Sequence, residues 1–429
     1  MGSPAPCVVP DRMPGKPGHR PPYHHPPGYG PVMVPILSVY RRHGRRDGPA
    51  PAHDMTPTRP LNILQIVSGR EINGAVEHCR ILSRQLCRHQ HRVTIMCRRD
   101  SWLAGRVGDS PVQVVQCDMN RWPPQSLRRM AGWVSRQQFD VIHTHMSRAH
   151  MYGILLSRLT GLPVVATAHS WHFQPHWHLN HHVIANSRAT LNYHRRVNRL
   201  NPRRSSVVHC FVDTERFSAV APYTRTGIRR QWRVAPDQPV VGLVGDVVPH
   251  KGQAFLLEAL PGLLDRFPNL QVVVVGRFHR NEAYTRQLRR FQLKHGLLRR
   301  VRWIGRRDNT QDIMSALDVL AVPSLVESMG MVALEGMAVG TPVVAARTGG
   351  LPEMIRSGWN GLLVRPRDAR ELGEAIGRML ADRELRQQCV DNGRRQVAAD
   401  FGPDHVTGKI EKIYSDLSES RDSVIPTAA

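Results

Sequence analysis

Hydrophobic positions fall into two series of short apolar runs, with amphipathic or mixed stretches between them. The first series starts at Leu61 with LNILQIVS and continues through HRVTIMCRR, VQVVQCD, FDVIHTH, LPVVATAHS, HHVIANS and SSVVHCF. These runs are nearly continuous in apolar residues, as strands covered on both faces are. AVEHCRILSRQLCRH places Val76, Cys79, Ile81, Leu82 and Leu86 near one side of a helix. RAHMYGILLSRLTGL reads as another helix, ended by Gly161 and Pro163. A second series begins near Pro239: VVGLVGDV, LQVVVVGR, VRWIG, VLAVPS, TPVVAAR and GLLVRP, with GQAFLLEALPGLLDRF and DARELGEAIGRMLAD as helices. The alternation predicts an α/β fold of two Rossmann-like, doubly wound parallel-sheet domains facing a cleft, with ligands beyond the strand carboxyl ends. The expected domains are 61–222 and 223–402, joined through the polar, strandless DTERFSAVAPYTRTG. A final helix from Pro403 to about Leu417 and a tail complete the chain over 403–429.

Residues 1–60 show neither periodicity and hold 15 of the 33 prolines, so they read as a disordered extension that buries no core. Met55 directly precedes the ordered part, which makes it a candidate start of the natural chain. With 429 residues, 41% hydrophobic and 22% charged, the chain has the length and balance of two globular domains. No apolar run approaches the roughly 20 residues of a membrane-spanning helix, and the first 30 residues lack the apolar core of a secretory signal. Seven scattered cysteines without a CxxC pair exclude a zinc ribbon or disulfide framework and point to a reducing compartment.

The net charge of +25 is uneven. Residues 61–222 carry 21 arginines and no lysine against 8 acidic residues. Such a surface suits nucleic acid, anionic lipid or a phosphorylated substrate. No nucleic-acid motif accompanies it, so nucleic acid is not an expected partner.

The densest chemistry lies in VPSLVESMGMVALEGMAVGTPVVAARTGGLPEMI. A strand ending near Ser324 leads into a loop with Glu327, Ser328, Met329 and Gly330, and a helix starts at about Met331 with Glu335 on its second turn. The free amides and dipole of a helix start attract an anion, and Gly330 admits close approach of a phosphate. Carboxylates at Glu327 and Glu335 are acceptors for sugar and ribose hydroxyls. Six histidines, His169, His172, His176, His178, His181 and His182, are irregularly spaced with no carboxylate or cysteine among them. With no Asp-x-Asp motif in the chain, no metal site is expected.

Glu327, seven residues and then Glu335, followed by GMAVGTPVVAARTGGLPEMI…NGLLV, resembles the donor-site signature of the family 4 retaining glycosyltransferases of GT-B architecture. The resemblance extends from Leu61 to about Leu417. It implies transfer of a sugar from a nucleoside diphosphate to a hydroxyl of a glycan or lipid-linked acceptor. The expected context is cell-surface polysaccharide, lipopolysaccharide or glycolipid synthesis in the cytoplasm, with peripheral contact to anionic membrane. No cofactor or metal is implied. By resemblance, residues 61–222 are the acceptor side, 223–402 bind the nucleotide sugar, and the final helix packs back toward the first domain. Glu327 falls on the donor sugar, Glu335 on the ribose, and the amides of Gly330 and Met331 on the diphosphate. VGLVGDVVPHKGQAFLLEAL resembles the opening of the family's second domain, with Lys251 as the phosphate-binding lysine after the Gly245 turn. The family's arginine is replaced here by Asp246, which would repel a diphosphate; either another cation, Arg277 or Arg280, supplies the charge, or phosphate binding is weaker. VSGREINGAVEHC resembles the glycine loop, with Gly74 at the ligand, and FDVIHTH puts His145 near the sugar. The alternatives are an epimerase-like GT-B enzyme, a phosphorylase and a non-catalytic sugar-nucleotide-binding module. A phosphorylase needs a cofactor lysine deep in the second domain, where none lies between Lys294 and Lys409. Removal of residues 1–54 should leave the melting temperature and donor turnover nearly unchanged; a large fall in melting temperature would mean that the segment docks.

Overall fold

The computed structural model describes residues 59–108, 110–119, 123–218, 222–278 and 282–422. The Pro-rich extension and Arg280 lie outside the described residues. The first series of apolar runs becomes β1 (Asn62–Val67), β2 (Arg92–Arg98), β3 (Gln113–Cys117), β4 (Val141–His145), β5 (Val164–Ala168), β6 (His182–Ala185) and β7 (Ser205–Val207). The second becomes β8 (Val240–Val244), β9 (Gln271–Val275), β10 (Val301–Gly305), β11 (Val319–Val322), β12 (Val343–Ala346) and β13 (Leu362–Val364). They form a seven-stranded sheet in the order β3-β2-β1-β4-β5-β6-β7 and a six-stranded sheet in the order β10-β9-β8-β11-β12-β13. Neighbouring strands run parallel throughout. Helices cover both faces, so central strands such as β4, β5 and β9 are buried along their whole length.

The strand order reverses between β1 and β4 in one sheet and between β8 and β11 in the other. Loops leaving adjacent strands at such a point diverge to opposite faces and open a crevice. That geometry brings together the segments after β1, β4, β8 and β11, where the chemistry-bearing motifs lie.

The stretch expected as a polar linker is partly helical, at Thr214–Ser218 and Pro222–Gln231. Its few apolar residues explain this: Phe217, Ile228 and Trp232 are buried and join the core of the second sheet. Arg225 and Arg229 fix it further through Asp318, whose carboxylate also accepts from the amide of Val240.

The final helix, Pro403–Asp422, crosses back to the first sheet. Val406, Ile410 and Tyr414 enter the core built on β1, β2 and the helix Gly74–Arg88. Glu411 meets His89 Nδ1 at 2.8 Å and His91 Nε2 at 3.0 Å, and His91 Nδ1 accepts from the Leu61 amide. Ile410→Ala should therefore cost about 2–4 kcal/mol, measured by urea denaturation of the full chain. A loss below about 1 kcal/mol would mean that this helix is not docked in solution.

Candidate active site

A cleft of about 910 Å³ lies between the carboxyl ends of the two sheets. From the second domain, Gly245, Lys251, Glu327, Ser328, Met329, Gly330, Met331 and Glu335 line it. From the first come Arg70, Gly74, Arg98, Arg148, His169 and others. Among the described residues, no group of three or more His, Cys, Asp or Glu side chains is placed to hold a metal ion.

The loop after β11 is fixed by glycine packing. Gly349 has a φ of +54°, and a β-carbon there would sit 1.5 Å from the Glu327 carbonyl oxygen. The Gly350 amide donates to that same carbonyl at 3.3 Å. Gly330, with a φ of +101°, precedes the helix Met331–Val339; the Ala333 amide donates to the Gly330 carbonyl at 2.9 Å, and the amides of Met331 and Val332 come too early to have intrahelical acceptors. The Lys251 ammonium meets Glu327 Oε2 at 2.7 Å. Each group neutralises the other until an anion competes for the lysine.

Glu335 opens to the cleft from inside the helix, and burial pushes its carboxyl up to about 7. Arg216 and Lys251 oppose that rise and Glu77 adds to it. The group sits where ionisation is delicately balanced, and hydroxyl donors would favour the ionised form.

The sequence expectations sort clearly. Glu327, Lys251, Glu335, Gly330, Met331, Gly74 and Gly245 all line one cleft. Gly74 opens the helix after the Asn73 cap, and no protein atom stands within 4 Å of where its β-carbon would be. His145 is a correction: it is fully buried behind His169, which takes the position at the cleft wall. The reason is the strand register, since β5 extends beyond β4 and pairs Thr167 with His145, leaving His169 past the strand end. Arg277 is a second correction. It pairs with Glu71 at 2.6 Å, and its amide donates to Asp246 at 3.2 Å. Neither Asp246 nor Arg277 lines the cleft, where arginines of the first domain stand with Lys251.

Three contributors escaped the sequence reading. Ser187 Oγ donates to the Ser328 carbonyl at 2.5 Å, tying the glutamate loop to the first domain. Glu353 reaches across to cap the helix Arg188–Val197, accepting from the Arg188 and Ala189 amides at 2.8 and 2.9 Å and meeting His209 at 3.0 Å. Burial alone would raise the Glu353 carboxyl, but the bonds from His209 and the two amides outweigh it and hold it below the usual carboxylate range. The third group is the arginines Arg70, Arg98 and Arg148. The available signals were a serine cap before a helix, a glutamate inside an already notable glycine motif, and, for the arginines, the strongly basic balance of residues 61–222 without any pointer to individual positions.

Two parallel-sheet domains around such a cleft define a GT-B protein. Residues 224–396 match the family described as Glycosyl transferases group 1, and residues 72–216 match Glycosyltransferase Family 4. The chain belongs to the family 4 GT-B glycosyltransferases. It is 36% identical over 210 residues to the D-inositol 3-phosphate glycosyltransferase of Corynebacterium jeikeium, across 48% of this chain and 50% of that protein. It is 29% identical over 322 residues to the protein of the same name from Corynebacterium efficiens, across 68% of this chain and 75% of that one. The match thus spans about half the length of the first relative and three quarters of the second. Among solved structures, Anabaena HepE in complex with UDP and glucose superposes with a TM-score of 0.73 at 23% identity, covering 83% of this chain and all of that one. A glycosyltransferase from Rickettsia africae reaches 0.76 at 19% identity, over 84% and 99%. At these identities the two structures speak for the fold.

Because the folded protein holds the Glu335 proton more tightly than the unfolded chain, this group makes stability fall as pH rises between about 4.5 and about 7. Glu335→Gln should flatten that part of a melting-temperature profile. An unchanged slope in the variant would remove the elevated carboxyl.

Proposed function

We propose that this protein is a retaining glycosyltransferase that moves a sugar from a nucleoside diphosphate, uridine diphosphate being the first choice, to a hydroxyl of a phosphorylated polyol of the inositol phosphate type. The observation that carries it is the division of the cleft. Lys251, Glu327, Glu335 and the helix start at Met331 stand on one side, and Arg148 stands on the other with Arg70 and Arg98, which share the Asp100 carboxylate at 2.8 and 3.0 Å. The first set suits a diphosphate with its two sugars, and the second suits a further phosphate. The names of the Corynebacterium relatives and the UDP bound to HepE support the same assignment.

In this reading Lys251 and the free amides at Met331 take the charge of the departing diphosphate. Glu327, released from Lys251, accepts from donor-sugar hydroxyls, and Glu335 accepts from the ribose. The bond from the anomeric carbon to phosphate oxygen breaks, and the bond to the acceptor oxygen forms on the same face. The acceptor proton passes to the departing phosphate oxygen, so no separate carboxylate base is needed. Holding both partners at reacting distance in the cleft would lower the barrier further.

A second acceptor reading, a lipid-linked one, rests on surface charge. Arg128, Arg129, Arg195, Arg196, Arg199, Arg203 and Arg204 are all exposed on the first domain. Each would gain about 1 kcal/mol near an anionic surface. Among the described residues no helix is long and apolar enough to cross a membrane, so such contact would be peripheral.

The test is transfer from a panel of nucleotide sugars to inositol phosphate, free inositol and lipid-linked acceptors. Uridine diphosphate release and the anomeric configuration of the product are measured. Retained configuration and preference for the phosphorylated polyol are expected. Transfer only to lipid-linked acceptors, with salt-sensitive binding to anionic vesicles, would replace the polyol by the second reading. Lys251→Met should weaken nucleotide binding about 10- to 100-fold, the worth of a charged hydrogen bond. Unchanged affinity would remove the lysine from the site.

A further inference from the structure

A chain of buried polar side chains runs from the final helix to the cleft. Tyr414, Gln65, His143 and His145 are each 0% exposed, and Thr167 is 2% exposed. Gln65 and His143 are directly paired across β1 and β4, and His145 lies two residues on, so all three face the same side of the sheet. The contacts are Thr167 Oγ1 to His143 Nε2 at 2.7 Å, His143 Nδ1 to the Tyr414 hydroxyl at 2.5 Å and the Tyr414 hydroxyl to Gln65 Nε2 at 3.2 Å. Gln65 Oε1 then meets His145 Nε2 at 2.8 Å, and His145 Nδ1 meets His169 Nε2 at 3.1 Å. His169 lines the cleft, and among the described residues its Nδ1 has no hydrogen-bond partner.

We propose that Tyr414 and Gln65 are positioning residues, which through His145 lock His169 in the tautomer that presents a bare Nδ1 lone pair to a hydroxyl of a bound ligand. The inference rests on the glycosyl-transfer reading only for the source of that hydroxyl.

The argument is one of donors and acceptors. The Gln65 amide oxygen can only accept, so His145 Nε2 carries the hydrogen. A neutral imidazole has one N–H, so His145 Nδ1 must accept and His169 Nε2 must donate. His169 Nδ1 is then left as an acceptor. On the other side, the Gln65 amino group donates to the Tyr414 oxygen, the Tyr414 hydroxyl donates to His143 Nδ1, and His143 Nε2–H donates to Thr167. All five bonds run one way. A reversed Gln65 amide would reverse every bond and would force all three histidines into the N–H form on Nδ1, the less favoured one for a neutral imidazole. Three tautomers thus favour the same direction.

The chain requires neutral rings, and burial supplies that. It holds His143, His145 and His169 well below the usual histidine range, with His78 and other nearby histidines adding to the effect. His78 stacks on Phe211 at 4.7 Å with no hydrogen-bond partner on either nitrogen, so it does not compete for the chain.

The test is a long-range proton–nitrogen spectrum of the full-length, ligand-free protein labelled in histidine, with His169→Gln to assign the signal. A pyridine-like Nδ1 in His169 is expected; a pyrrole-like Nδ1 overturns the proposal. This readout needs no substrate, so it stands apart from the glycosyl-transfer reading. Tyr414→Phe and Gln65→Leu should then each give mixed His169 tautomers and lower kcat/KM about tenfold. A rise confined to the donor KM places the hydroxyl on the sugar, and one confined to the acceptor KM places it there. Variants that fold but leave tautomer and rate unchanged would show that other contacts hold His169. If neither variant folds, the wild-type spectrum still decides the tautomer.

Discussion

The loop from Leu325 to Gly330 is held from every side, and the rest of the site depends on it. The Leu325 amide donates to the His250 carbonyl at 2.7 Å. Gly349 and Gly350 press on the Glu327 carbonyl from below, Lys251 holds the Glu327 carboxylate, and Ser187 holds the Ser328 carbonyl from the other domain. Such over-determination keeps a carboxylate in place within the tolerance that catalysis requires. It also explains why two glycines occur where the chain could otherwise carry side chains. A single β-carbon at residue 349 has nowhere to go without moving Glu327.

The two halves are joined at the same place. Glu353 caps a helix of the first domain, and Ser187 and Thr190 from that helix start reach the Ser328 carbonyl. A carboxylate suits a helix start because it satisfies orphan amides and complements the dipole. The glutamate loop and the interdomain contact therefore share residues, so the seating of one domain on the other and the geometry of the loop are fixed together.

The strands were legible in the sequence because a strand buried on both faces leaves an unbroken apolar run, as in VVVV of β9. The cleft residues around Glu327 were legible because their backbone demands are rare: a left-handed glycine before a helix and a glycine pair under a carbonyl leave a fixed motif. The linker helices were not read, since short polar stretches with few apolar anchors carry little periodicity, whereas Pro124–Arg136 was missed although Leu127, Met130, Ala131 and Val134 give it an apolar side. His145 was expected near the sugar by resemblance, and a strand-end histidine looks the same in sequence whether it faces ligand or another histidine. Only the register between β4 and β5 decides, and register is set by long-range pairing. The Arg277 to Glu71 pair escaped for the same reason, since its partners lie 206 residues apart.

Charge is divided sharply between surface and interior. Most arginines of the first domain lie outside, whereas His78, His143, His145, His150 and His194 pack into its interior, where burial favours the neutral ring. A buried cation under a basic surface would meet both desolvation and repulsion. A neutral imidazole avoids both and still offers one donor and one acceptor to a network. That network closes only through Tyr414, 349 residues from its partner Gln65. Val406 and Ile410 complete the same core. The first domain therefore lacks both a packing wall and a hydrogen-bond partner until the last helix arrives. The two sheets are separate, yet the core of the first is complete only with a helix that follows the second in the chain, so the first domain depends on that helix for its final packing.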